Sequence, residues 1–164
     1  DGFEISIPND AAEALWNKLL SDERVKPIGL AARDSLRLEM GYCLYGHDID
    51  ATTTPLEADL GWVMRKDAKE SMPAPAKKRV GIMLTDRGVA REGAVVKSRG
   101  GDELGVLTSG GFSPTLQASI GQVYLPLDYA APNTEVNVDV RGRLIPAKVV
   151  TLPFLKPRTK SPTK

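Results

Sequence analysis

One cysteine and one histidine, Cys43 and His47, are all that this 164-residue chain holds of either type. A lone cysteine excludes an intrachain disulfide and any multi-cysteine metal site. A lone histidine excludes a multi-histidine zinc site, so no metal is expected. Aromatics are scarce, with three Phe, two Trp and four Tyr, which is thin for a surface that stacks nucleic-acid bases. A net charge of +1 gives no global field toward nucleic acid or a membrane surface. No apolar run approaches the ~20 residues that span a bilayer. Neither nucleic acid nor membrane is therefore an expected partner. No signal-peptide pattern opens the chain. Cys43 reads as a small buried hydrophobe rather than a nucleophile, and a reducing compartment is compatible with it.

What is present is an ordinary globular composition, 41% hydrophobic and 26% charged. The length suits one ordinary domain or two small ones. Residues 3–7, Phe-Glu-Ile-Ser-Ile, alternate apolar and polar and predict a half-buried strand. Glu4 and Ser6 then share one face, and Phe3, Ile5 and Ile7 the other, with Pro8 as the stop. Asp10 is expected to cap a helix, with Glu13 as its capping-box partner. Ala11, Leu15 and Leu19 repeat on one side of that helix. Residues 26–30 predict a short strand, and 31–40 a second helix stopped by Gly41. Residues 65–78, punctuated by Pro73, Pro75 and lysines, read as a connector. Beyond it the runs 79–85, 93–97, 104–109, 119–123, 135–140 and 144–151 are short and β-rich. Gly, Pro, Asn and Asp separate them, which favours a small barrel or sandwich. Arg141-Gly142 is expected to make the last hairpin turn. The tail 156–164 carries Lys156, Arg158, Lys160 and Lys164 with no acid, and reads as a solvated end.

Several residues could carry chemistry. Glu4 lies on the polar face of its expected strand, where a carboxylate could accept paired N–H donors from a ring edge such as a pterin's. Otherwise it is a solvent-facing strand glutamate. A buried carboxylate needs such a partner. Arg33 offers a guanidinium fork for a carboxylate of ligand or protein; Arg37 and Glu39 read as structural pairs. Trp62, alternating with Gly61 after Leu60, reads as a strand-edge ring that either stacks on a flat ligand or packs in the core. Tyr45-Gly46-His47-Asp48 reads as a turn, with His47 at a loop. Ser109-Gly110-Gly111-Phe112-Ser113-Pro114 reads as a glycine-rich turn, without the lysine and helix of a phosphate loop. No nucleophile elbow is present.

The order of these blocks resembles the aminomethyltransferase (T-protein) family of the glycine cleavage system. Asp1-Gly2-Phe3-Glu4 is similar to the end of a family segment. Gly29 to Tyr45, opening Gly29-Leu30-Ala31-Ala32-Arg33-Asp34-Ser35-Leu36-Arg37-Leu38-Glu39, is similar to the next block, and Thr54-Pro55-Leu56-Glu57 through Trp62 to another. Gly105 through Pro114 and the closing Pro153-Phe154 follow in the family's order. The resemblance implies an α+β fold: the end of a folate-binding α+β domain (1–64), the connector (65–78), a small antiparallel C-terminal β-barrel (79–156) and a basic tail (157–164). It implies transfer of a one-carbon unit from the aminomethyl-lipoyl arm of the H-protein to tetrahydrofolate, with release of ammonia. The lipoylated H-protein would be the partner and tetrahydrofolate the acceptor.

By position, Glu4 resembles the family's pterin-edge carboxylate, Arg33 its folate-contacting arginine and Trp62 a channel tryptophan. The family's tail tyrosine has no match here, and Arg158 stands where it could meet the folate's glutamate tail. No catalytic residue is expected in this chain. The family's catalytic aspartate belongs to an N-terminal half not represented in it, so the chain reads as part of a longer protein, inactive by itself. Alternatives of other classes are a folate-binding relative of the tRNA-modification or iron–sulfur assembly type, the C-terminal region of a folate-dependent demethylating dehydrogenase, and a β module without a ligand. Cys43 before Leu44-Tyr45-Gly46 resembles mitochondrial members, which favours the mitochondrial matrix over a bacterial cytoplasm.

Overall fold

The structure is a computed structural model and describes residues 3–157. Two compact units divide between Arg33 and Asp34.

In the first unit, residues 3–8 are irregular rather than a strand. Alternation supplies an apolar face, but a strand also needs a neighbour for its N–H and C=O groups, and 3–7 pair with none of the described residues. A short 3-10 turn, Asn9–Ala11, leads into α1, Ala12–Leu20. Asp10 does not cap it through its side chain. It lies inside the 3-10 turn, whose first bond runs from Ala11 N–H to the Pro8 carbonyl at 3.1 Å. No residue of α1 is buried. Residues 26–29 are likewise irregular instead of a strand, and Leu30 opens α2, Leu30–Glu39.

Gly41 ends α2 as expected. Its φ of 66° is left-handed, a conformation glycine adopts without strain. Gly41 N–H donates to Leu38 C=O at 2.9 Å and Tyr42 N–H to Arg37 C=O at 2.9 Å. Those two bonds form a Schellman motif, which satisfies helix-end carbonyls.

Residues 65–78, expected to be a connector, contain α3, Lys66–Ser71, and the first residues of β1. The barrel strands are β1 (Lys77–Leu84), β2 (Val95–Lys97), β3 (Glu103–Ser113), β4 (Ala118–Pro126), β5 (Glu135–Val140) and β6 (Arg143–Val150). They close in the order β1-β4-β3-β2-β5-β6, antiparallel throughout, with β6 returning to β1. Closure removes exposed sheet edges. Val80, Ile82 and Leu84, Val136 and Val138, and Ile145, Ala147 and Val149 point inward at every second residue and form the core. Arg141 and Gly142 turn β5 into β6 with φ of 56° and 82°, the double left-handed pair of a type I′ hairpin.

The glycine-rich stretch 109–113 is strand, not turn. A Cβ on Gly110 would stand 2.8 Å from the Ala90 carbonyl, and one on Gly121 in β4 2.8 Å from the Ser109 carbonyl. These glycines allow backbones to approach closely, and the turn falls one step later, at 114–117, where Gln117 takes φ 53°.

β1 and β4 break the inward–outward alternation, because Arg79, Gly81, Ile120 and Gln122 are buried as well. The outer face of β1 is covered: a Cβ on Gly81 would meet Phe154 at 2.9 Å and Leu152 at 3.0 Å. The segment 37–60 covers the rest through polar contacts.

Candidate functional site

Glu4 is exposed, in the irregular stretch 3–8, with no polar-face strand to orient it. Its side chain makes no hydrogen bond or ion pair among the described residues. Arg33 is exposed on α2, and its guanidinium is likewise unpaired among them. Both belong to the first compact unit, and no hydrogen bond joins them. Trp62 belongs to the second unit. It sits on a 3-10 turn, Gly61–Val63, rather than at a strand edge. At 79% exposure it is not core-packed. Arg158 lies outside the described residues.

The ion pairing expected nearby falls on Arg37. It reaches Asp34 at 2.7 Å and Asp48 at 2.8 Å, and donates to Ser109 Oγ at 2.9 Å. Among the described residues Glu39 has no ion-pair partner. Its buried carboxylate accepts from Ser113 Oγ at 2.5 Å, Thr115 Oγ1 at 3.0 Å and Thr115 N–H at 3.2 Å. His47 sits in the expected turn, with Nδ1 2.9 Å from Glu92 Oε1 at the surface. Cys43 is half-buried and desolvation pushes its thiol up, which disfavours the thiolate a nucleophile needs. Among the described residues no group of His, Cys, Asp and Glu is placed to hold a metal.

Sequence reasoning missed the groups that fasten the Trp62 loop to the barrel. Asp48, fully buried, accepts four hydrogen bonds: from Arg37 Nη1 at 2.8 Å, Leu44 N–H at 2.8 Å, Thr108 Oγ1 at 2.6 Å and Ser109 Oγ at 2.8 Å. Tyr124 in β4 donates its hydroxyl to the Asp48 carbonyl at 2.7 Å, and burial pushes that phenol well above its ordinary range. Arg79 in β1, also buried, donates from Nε to the Ala58 carbonyl at 2.8 Å and from Nη1 to the Gly41 carbonyl at 2.9 Å. The same Nη1 donates to Gln122 Oε1. Gln122 in turn donates to the Tyr42 carbonyl at 3.2 Å. The signal in the sequence was Gly81, two residues from Arg79 on the same outward face. A strand glycine marks close coverage, so its neighbour on that face is buried too.

The loop before Trp62 is ordered by its own polar residues. Thr54 and Glu57 form a reciprocal capping box: Thr54 N–H and Oγ1 donate to Glu57 Oε2 at 3.1 and 3.0 Å, and Glu57 N–H donates to Thr54 Oγ1 at 3.3 Å. The Thr54 backbone N–H, then its hydroxyl, hold the Glu57 carboxyl below its usual range. The hydroxyl and N–H of Thr52 do the same for Asp50. The described second unit thus presents an exposed indole on a loop held at both ends, a feature suited to binding a flat ring. Its two serine–carboxylate pairs, Ser109 with Asp48 and Ser113 with Glu39, are buried in the packing.

Residues 1–68 match the family described as the GCVT N-terminal domain, and 77–156 the glycine cleavage T-protein C-terminal barrel domain. Among curated relatives, an aminomethyltransferase of Bacteroides thetaiotaomicron is 43% identical, over 94% of this chain and 47% of that protein. One of Prosthecochloris aestuarii is 45% identical, over 94% of this chain and 46% of that protein. A crystal structure of the glycine cleavage system aminomethyltransferase T of Bartonella henselae superposes with a TM-score of 0.81 at 40% identity, covering 91% of this chain and 45% of that one. The chain therefore spans about half the length of the relatives it matches.

Proposed function

Since the chain belongs to the glycine cleavage T-protein family, we propose that it forms the C-terminal part of an aminomethyltransferase. That enzyme would release ammonia from the aminomethyl-lipoyl H-protein and pass the one-carbon unit to tetrahydrofolate. Within it, residues 1–64 would complete the folate-binding domain, 79–156 would be the barrel domain, and Glu4, Arg33, Trp62 and Arg158 would contact the folate. The exposed indole of Trp62, 79% accessible on an anchored loop, is the observation that carries this reading. A large aromatic left unpacked by its own fold is available to a ligand.

The division of labour follows from chemistry. Glu4 would accept the two N–H donors of the pterin edge, Trp62 would cover the ring face, and Arg33 and Arg158 would neutralise carboxylates. None of these groups transfers a proton to the reacting carbon. Their contribution is to hold an amine of tetrahydrofolate where the tethered aminomethyl group arrives, and such positioning supplies about 7–11 kcal/mol in favourable intramolecular cases. The relatives named are bacterial and lend no weight to a mitochondrial address. The proposed compartment is wherever the host keeps its glycine cleavage system.

The test is a titration of the native protein with tetrahydrofolate, beside an assay of ammonia release from aminomethyl-lipoyl H-protein. Trp62→Ala and Glu4→Ala should each weaken folate binding by about 1–3 kcal/mol. Unchanged affinity in both would overturn the reading, as would the absence of folate-dependent ammonia release.

A further inference from the structure

Arg79 is 5% exposed, yet among the described residues no carboxylate pairs with it. The acceptors it uses are neutral: the carbonyls of Ala58 and Gly41 and the amide oxygen of Gln122. A buried cation held only by dipoles is a poor source of stability, since desolvation offsets most of what those bonds return. What the arrangement does supply is geometry. Gly41 and Ala58 are the two ends of the loop 41–58, and one planar guanidinium binds both. The Arg79 backbone N–H adds a third tie, donating to the Glu57 carbonyl at 2.7 Å. Gln122 grips the Tyr42 carbonyl with one end of its amide and Arg79 with the other.

We propose that Arg79, backed by Gln122, is the positioning residue that sets where Trp62 stands. Three residues separate Ala58 from Trp62: Asp59 at a left-handed φ of 58°, Leu60, and Gly61, which opens the 3-10 turn that carries the indole. Fixing the Ala58 carbonyl therefore fixes the take-off of this turn. The side chains of Thr54 and Glu57 shape the loop internally; on the Trp62 side the ties to β1 are the Arg79 guanidinium, the Arg79 backbone N–H on the Glu57 carbonyl and the exposed Lys78–Asp59 ion pair at 3.0 Å, and of these the buried guanidinium alone also grips the far end of the loop at Gly41. A guanidinium is suited to the task because its donors lie in one plane at fixed angles. A lysine at 79 would keep the charge but could not reach Ala58, Gly41 and Gln122 from one rigid group. The functional consequence, that Arg79 governs folate binding through Trp62, rests on the reading of Trp62 given above; the positional consequence does not.

Two measurements separate them. The protein is labelled with fluorotryptophan, and the Trp62 resonance is assigned by its loss in Trp62→Phe. Arg79→Met and Gln122→Leu should each shift or broaden that resonance without folate present. Kinetics on the same native variants should show KM for tetrahydrofolate raised by about tenfold, with kcat within about twofold. Combining Trp62→Ala with Arg79→Met should add little to either alone. If Arg79→Met proves too unstable to assay, Gln122→Leu carries the same prediction with the cation retained. An unmoved Trp62 resonance in a folded variant overturns the positioning role. A rise in KM for Trp62→Ala without one for Arg79→Met also overturns it, while leaving the folate reading intact. A moved resonance with KM unchanged in Trp62→Ala upholds the positioning role and overturns the folate reading.

Discussion

Replacing Asp48 by Ala should be among the most damaging single changes in the second unit. The carboxylate is fully buried and accepts from Arg37 Nη1, Leu44 N–H, Thr108 Oγ1 and Ser109 Oγ. Arg37 itself is 13% exposed, so its charge would be left largely out of water. Removing one member of a buried pair costs about 3–5 kcal/mol. Arg37 keeps its bridge to Asp34, whose side chain is 52% exposed, which argues for the lower end of that range. Two stranded neutral donors, Leu44 N–H and Ser109 Oγ, at about 1–3 kcal/mol each if neither finds water, push it back up, while Thr108 Oγ1 keeps the Gln122 carbonyl at 3.2 Å. We expect a loss of about 4 kcal/mol, measured by urea denaturation at pH 7 with m unchanged. The partner experiment is Arg37→Met with Asp48→Leu, which removes both charges and fills the space. It should recover about 1 kcal/mol or more relative to the sum of the single changes. A loss below about 1 kcal/mol for Asp48→Ala would refute the reasoning, because it would mean that the buried donors are satisfied some other way.

Gly110→Ala should cost about 1–3 kcal/mol in the same assay, since its Cβ would press on the Ala90 backbone carbonyl, which cannot rotate away. Glu57 has a folded pKa below its unfolded value, so its contribution is complete above the unfolded pKa and is lost as pH falls through the lower folded one. Glu57→Gln should therefore trail wild type in stability at about pH 6 and converge on it as the pH falls below the ordinary glutamate pKa and through the lower folded one. Convergence absent from a pH series of denaturation curves would contradict this. Cys43 should react sluggishly with maleimide at neutral pH, with its pH–rate profile displaced above the ordinary thiol value of about 8.5, because burial raises its thiol.

Some of the fold was legible residue by residue. The runs at 135–140 and 144–151 alternate with period two and became β5 and β6, because a strand with one buried face writes that period into its sequence. Arg141-Gly142 and Gly41 were legible as well, since left-handed φ is a local demand that few residues meet. Trp62 was singled out as a ring that could bind or pack. Its local structure was misjudged because Leu60-Gly61-Trp62 alternates equally well in a 3-10 turn this short. Residues 3–7 were misjudged for a related reason: alternation states which face is apolar and says nothing about whether a neighbouring strand exists.

By itself, the sequence determined the β5–β6 hairpin turn and the end of α2, which are set by interactions within a few residues, and it marked the β-rich runs that the barrel pairs. It also determined family membership, through blocks whose order packing alone does not require. Only the tertiary structure decided that Arg79, Asp48 and Gln122 are buried and that Trp62 is exposed. The acceptors of Arg79 lie 21, 38 and 43 residues away in sequence, far beyond any helical or strand period. Burial on the outer face of a barrel is a property of what folds over it, and that covering comes from another part of the chain.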